Sequence, residues 1–266
     1  MPKFIPQDSL LREHIEYYWI VDESEGLVHE SAPVHEFPSL APELVLGIWG
    51  TLRYRYRGRL HATRESVLFG YIDHGLTVYP ADLRQMIVVK FKPRGLSSLV
   101  PFLSIAAADL IRNAVVPARA VFGEGLARFE QHLSAKPADA VAAELDAWLS
   151  DRLDARRAGL VHDVFATVTP TTSVCDLATL TQSSYSTLER HFKRETGLTP
   201  KRFLIRHRFK HVLADLFCTG STDWFDYVVR FGYHDQSHFI REVKRFSGYT
   251  PGQLVALPYL THHRPE

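Results

Sequence analysis

Apolar residues recur at strand spacing through the amino-terminal half of this chain and at helical spacing through its carboxy-terminal part. Short alternating or apolar runs at 43–49, 52–56, 66–70, 76–79 and 85–91 are broken by glycine, proline or charged turns and predict strands. Five or more such strands point to a sandwich or small barrel. Residues 51–59 alternate Arg with Leu or Tyr, as a hairpin strand with one wet face does. From Leu96 the pattern turns helical, and 125–153 reads as helix interrupted near Lys136-Pro137. A break in pattern at 154–159 marks a boundary, giving an amino-terminal β-rich domain over 1–155 and an all-helical domain over 160–258. The fold class expected is α+β: a sandwich or barrel with flanking helices, then two helix-turn-helix units joined by a long helix.

The helical part is written twice. Residues 184–200 and 235–251 align at an offset of 51, and seven of the seventeen pairs are identical: Ser186/Ser237, Arg190/Arg241, Lys193/Lys244, Arg194/Arg245, Gly197/Gly248, Thr199/Thr250 and Pro200/Pro251. In the first copy Ser184 is placed to cap a helix, Leu188 and Phe192 share one face, and Tyr185 extends that stripe. Gly197 suits the stop, and Thr199-Pro200 suits the cap and first position of the next helix. In the second copy Asp235 caps and Phe239, Val243 and Phe246 form the stripe. Shorter apolar segments precede each copy, with Val174, Leu177, Ala178 and Leu180 before the first and Phe225, Val228, Val229 and Phe231 before the second. A short helix, a tight turn (Gly232 in the second unit) and an amphipathic basic helix make a helix-turn-helix. The stretch 200–218 carries Phe203, Leu204, Phe209, Val212, Leu213 and Leu216 at helical spacing and predicts the joining helix.

Charge sharpens this picture. The net charge of +1 looks weak for a partner of DNA, yet residues 184–211 hold eight basic and two acidic side chains. Basic charge therefore concentrates on the first basic helix and the start of the joining helix, and binding to DNA should weaken with salt. At 266 residues and 45% hydrophobic content the chain suits a two-domain globular protein. No run of 18 apolar residues suggests a membrane span, and the start lacks the apolar core of a signal peptide. The two cysteines, Cys175 and Cys218, fit no zinc spacing. A cytoplasmic location is expected.

The duplicated region resembles the AraC/XylS-type transcription regulators over roughly 160–256. The run from Phe231 to Arg241 looks like the family's G-[FY]-x-[DS]-x-S-x-F-x-R pattern, and Gly248-Tyr249-Thr250-Pro251 looks like its close. The first unit matches through Ala178, Leu188, Arg190, Phe192, Lys193, Gly197 and Pro200. The resemblance implies two basic helices in adjacent major grooves of double-stranded DNA. It places Ser186, Glu189, Arg190, Gln236, Ser237, His238 and Arg241 at base-reading positions. Arg suits guanine, Gln suits adenine, and Glu accepts from cytosine. Lys193, Arg194, Lys244 and Arg245 are expected on phosphate, which sets register without reading sequence. Val243 departs from the family's usual Phe, and Leu254-Val255 from its aromatic-Arg pair. Segments 14–19 and 91–95 resemble, less specifically, the β-rich and often cupin-like sensor domains that precede such units. That resemblance implies a small-molecule effector, and family habit implies a homodimer.

Other chemistry is weighed against this. His29, His35, Glu36, His61 and His74 could supply metal ligands to a cupin-like enzyme, but the clustered His-x-His of such sites is absent. His207/His211 and His234/His238 are four apart on helices and could hold zinc, though roles on the DNA face or in solvent fit them better. Tyr17, Tyr18, Trp19, Trp49, Tyr54, Tyr56, Phe69, Tyr71 and Phe91 could wall an effector pocket, but core packing explains most of them. No cofactor, metal or catalytic residue is assigned, and the chain is read as a regulator, not an enzyme. The alternatives are a metal-dependent cupin-like enzyme fused to a DNA-binding module, or an interaction module whose DNA binding has decayed.

Overall fold

A computed structural model of the protein describes residues 3–21, 33–79, 82–93, 95–100, 111, 114–134, 136–154, 164–165 and 167–257. The amino-terminal part is a pair of antiparallel sheets. Six strands pair in the order β1-β2-β9-β4-β7-β10, with β1 at Lys3–Phe4, β2 at Ile15–Val21, β4 at Glu43–Gly50, β7 at Val67–Phe69, β9 at Leu83–Phe91 and β10 at Val115–Pro117. Four strands pair as β3-β8-β5-β6, with β3 at Val34–Glu36, β5 at Leu52–Tyr56, β6 at Arg59–Thr63 and β8 at Leu76–Tyr79.

The alternation of side chains along the six-stranded sheet divides the core in two. Val21, Val45, Phe69, Met86 and Val88 turn toward the four-stranded sheet, where they meet Leu52, Tyr54, Tyr56 and Leu76. Leu44, Leu46, Ile87, Val89, Tyr18 and Ile20 turn the other way, onto helices. Those helices are α1 (Gly95–Leu99), α2 (Arg119–Phe122), α3 (Gly125–Leu133) and α4 (Ala138–Ser150). Helix α3 buries Leu126, Phe129 and Leu133, α4 buries Val141, Leu145 and Leu149, and Trp148 stacks on Phe129 at 4.5 Å. The Tyr18 hydroxyl donates to Asp146 Oδ1 at 2.7 Å and fastens α4 to β2. The break between α3 and α4 falls at Lys136-Pro137, where the sequence places it.

The two segments that carry the sensor-domain resemblance meet in space. Lys92 N–H donates to the His14 carbonyl at 2.8 Å, and a Cβ at Gly95 would lie 1.9 Å from that same oxygen, so only glycine fits there. Of the proposed aromatic walls, Tyr18, Tyr54, Tyr56, Phe69, Tyr71 and Phe91 are core residues, whereas Trp49 is 61% exposed.

Six helices follow: α5 (Val174–Leu180), α6 (Tyr185–Thr196), α7 (Pro200–Thr219), α8 (Trp224–Arg230), α9 (Gln236–Ser247) and α10 (Pro251–Val255). One hydrophobic cluster runs from the six-stranded sheet through α3 and α4 into Leu177, Leu188, Phe192, Leu198 and Phe203 of the first helical unit. A separate cluster around Phe209, Val212, Tyr227, Phe239 and Phe246 builds the second unit and takes in Phe37 from the amino-terminal part. The boundary expected at 154–159 lies outside the described residues, apart from Asp154. His29 lies outside them as well.

Candidate nucleic-acid interface

Each helical unit is closed by caps that its sequence supplies. Ser173 and Asp176 form a reciprocal capping box at the start of α5, and Asp223 accepts from Phe225 and Asp226 N–H at the start of α8. Ser184 accepts from Thr187 N–H at 3.2 Å to begin α6, and Asp235 accepts from His238 N–H at 2.7 Å to begin α9. Both basic helices end on a left-handed glycine, Gly197 at φ 68° and Gly248 at φ 83°. Thr199 and Thr250 then cap the next helices, each with proline at the first position.

The stripes predicted for α6 and α9 are buried. Leu188, Phe192, Phe239 and Val243 are fully enclosed, and Val243 fills its place without the family's larger ring. Four apolar assignments fail, the first being Leu180 at the end of α5, which is 56% exposed. Tyr185 is 53% exposed and does not extend the stripe, because its position at the first turn of α6 faces away from the core. Phe225 and Val229 are 74% and 64% exposed, and Tyr227 with Val228 holds α8 to α9 in their place.

The opposite faces carry the candidate DNA contacts. Ser186, Arg190 and Lys193 on α6 and Gln236, Ser237, Arg241, Lys244 and Arg245 on α9 are exposed, while Glu189 and His238 are half-buried. Glu189 accepts from Lys193 at 2.8 Å, one helical turn away, so that pair partly neutralises itself. Arg194 turns from the other basic side chains: its Nη2 donates to His191 Nδ1 at 2.9 Å and lies 3.4 Å from Glu195. It also lines a small recess against Tyr71 and Leu96, on the side of the amino-terminal part. Joining helix α7 has 20 residues and spans about 30 Å at 1.5 Å per residue, comparable with one turn of DNA.

Several side chains near this interface were not singled out from sequence. Arg208 on α7 grips Glu242 on α9 through Nε at 3.1 Å and Nη2 at 2.6 Å, and the Tyr233 hydroxyl donates to Glu242 at 2.7 Å. The guanidinium also stacks over the Tyr233 ring at 4.1 Å. Arg206 is 3% exposed and donates to two carbonyls of the amino-terminal part. Position on α7 alone does not separate these arginines from solvated ones.

The histidine pairs divide. His207 is neither solvated nor on a DNA face: it is 4% exposed and lies between the Phe165 and Phe203 rings, because its turn of α7 faces the first core. Its Nε2 lies 3.3 Å from His211 Nε2, and burial, aided by His211 and Lys210, pulls its pKa to about 4. His234 is exposed beside Asp235, and His238 packs its ring on Tyr233. In the amino-terminal part His35 bonds Thr77, His61 stacks on Tyr54 and His74 pairs with Asp73. Among the described residues no three His, Cys, Asp or Glu side chains are placed to share a metal ion, and no helix is long and apolar enough to cross a membrane.

A family model described as a helix-turn-helix domain matches residues 177–256. No curated protein matches the chain. Solved structures to which the chain shows similarity include ToxT from Vibrio cholerae in a P21 crystal form, at 8% identity and TM-score 0.46, covering 90% of this chain and 96% of that one. A second is unsaturated fatty acid-bound wild-type ToxT from Vibrio cholerae strain SCE256, at 13% identity and TM-score 0.45, covering 94% and 96%. The family match, joined to the paired caps and exposed basic faces, makes residues 177–256 a helix-turn-helix domain.

Proposed function

We propose that the protein is a sequence-specific transcription regulator that reads two successive major-groove segments of double-stranded DNA on one face. Residues 160–258 are the reading domain; residues 1–155 respond to a small-molecule effector and mediate self-association as a homodimer in the cytoplasm. In this reading Ser186, Glu189, Arg190, Gln236, Ser237, His238 and Arg241 meet base edges, and Lys193, Lys244 and Arg245 meet phosphate. Arg194, 61% exposed, joins them on phosphate by leaving its contact with His191. The observation that carries the proposal is the repeat itself: two capped helices with the same basic positions, each with its apolar side buried and its polar side in solvent.

The test is substitution on the bound duplex. Arg190→Ala and Arg241→Ala should each cost about 1–3 kcal/mol of affinity and relax preference at one base position. Lys244→Ala should weaken all sequences alike and reduce the salt slope by about 1. Unchanged affinity in both arginine variants would instead favour an interaction module whose DNA binding has decayed.

A further inference from the structure

The six-residue loop between β7 and β8 meets both basic helices and the joining helix of the reading domain. Tyr71 is 2% exposed and packs in the cluster that holds Leu188, Phe192 and Leu198. With Leu96 and Ile111 it faces Arg194, Glu195 and Gly197, at the carboxy-terminal end of the first basic helix. Its carbonyl accepts from Arg206 Nη2 at 3.1 Å, in the first half of α7, and the Ser39 carbonyl takes Nη1 at 3.4 Å. Four residues later, Gly75 N–H donates to the Phe246 carbonyl at 2.8 Å, at the carboxy-terminal end of the second basic helix. A Cβ at Gly75 would lie 3.2 Å from the Ser247 carbonyl and 3.4 Å from that of Phe246, so the contact is close because glycine stands there. Phe37 against Phe217 at 6.1 Å and His35 against Tyr249 at 5.5 Å widen the same contact.

The loop therefore grips both basic helices at the ends remote from their base-reading residues, and grips the joining helix between them. The loop itself is anchored: Gly70 and Tyr71 N–H donate to the Ala114 and Ile111 carbonyls at 3.0 and 2.9 Å, and the Tyr71 hydroxyl reaches Pro93. A guanidinium buried among carbonyls holds its neighbours in one arrangement, since moving it away strands a charge or two acceptors. Burial pulls the Arg206 guanidinium down to about 10, and the nearby Asp73 carboxylate works against that fall.

From this juxtaposition we infer that Arg206 and the loop 70–75 are positioning residues for DNA reading. They fix the spacing and relative rotation of the two basic helices, and so make the amino-terminal domain part of the ruler that measures operator spacing. The inference rests on the proposed two-segment reading. Each inserted base pair moves one segment by about 3.4 Å and turns it by about 34° relative to the other, which a braced pair of helices cannot follow.

The test uses the full-length protein and duplexes that the wild type selects from a random pool, remade with one or two base pairs added or removed between the two selected blocks. The wild type should lose roughly ten-fold or more on each altered spacer, the scale of a lost base-pair contact. Arg206→Met should bind the altered spacers within about three-fold of the selected one, and Arg206→Lys should restore part of the discrimination. Gly75→Val, which pushes α9 from the loop without touching the buried arginine, should relax spacing in the same way if Arg206→Met fails to fold. Sequence preference within each block should stay as in the wild type. Spacing discrimination unchanged in the folded variants would overturn the positioning role while leaving two-segment reading intact. A wild type that selects no paired blocks would overturn both.

Discussion

Glu242 ties the second unit to the joining helix through two partners, accepting from Arg208 and from the Tyr233 hydroxyl. Arg208 and Glu242 are 14% and 7% exposed, so removing the carboxylate leaves a largely buried guanidinium with the Gly232 carbonyl at 3.4 Å in place of a paired charge, and a buried phenol without its acceptor. Glu242→Ala should cost about 3–5 kcal/mol, read as a lowered midpoint of chemical denaturation. Burial and the Glu242 carboxylate both push the Tyr233 phenol upward, so it stays a donor throughout the physiological range. His207 gives a pH prediction of defined sign. Its folded pKa of about 4 lies below the unfolded value of about 6.5, so the unfolded chain binds the proton first as pH falls. Stability is therefore complete above pH ~6.5 and declines toward pH ~4, by up to about 3 kcal/mol from this group. His207→Phe should flatten that slope in denaturation curves taken across the window, and an unaltered slope would place the effect elsewhere. His35 and His211, lowered by burial in the same direction, add to that slope.

Elements are set by their ends. Asp235 is held below the usual carboxylate range by the His238 N–H it accepts, and then by His234, so it caps α9 as an anion. Asp235→Ala should cost about 1 kcal/mol and fray the turn that carries Gln236, Ser237 and His238, with weaker DNA binding as a second readout. Caps and stops of this kind are legible in sequence because single residue types serve them: Ser184, Asp235, Gly197, Gly248 and the two Thr-Pro pairs all stand where they were expected. Strand β5 was legible for a similar reason, since its burial alternates without a break. Strand β2 hides its alternation in the nearly continuous apolar run IEYYWIV, whose two faces enter two different cores. Strand β6 is exposed almost throughout, and β3 and β10 have three residues each, too few to show a period. Gln182 takes φ 49° in the first turn, where the second unit has Gly232 at φ 66°, so the first turn gave no glycine signal.

At the scale of the molecule, the two parts read from sequence are packed as one body over much of their contact. A single hydrophobic cluster joins the sheet to the first unit, and Arg206, Phe37 and Gly75 tie the sheet region to the joining helix and second unit. None of these contacts has a sequence signature, because each depends on a surface formed only when both parts have folded. They do give the amino-terminal domain a direct mechanical route to both basic helices, which an effector could use. Basic charge gathered on the reading domain makes salt sensitivity the other whole-molecule property. The most direct test of two-segment reading is selection of bound duplexes from a random pool by the full-length protein at two salt concentrations. Two short blocks about one helical turn apart, enriched at both concentrations, are the expected result. A single block, or binding that fades uniformly with salt and enriches nothing, would contradict it.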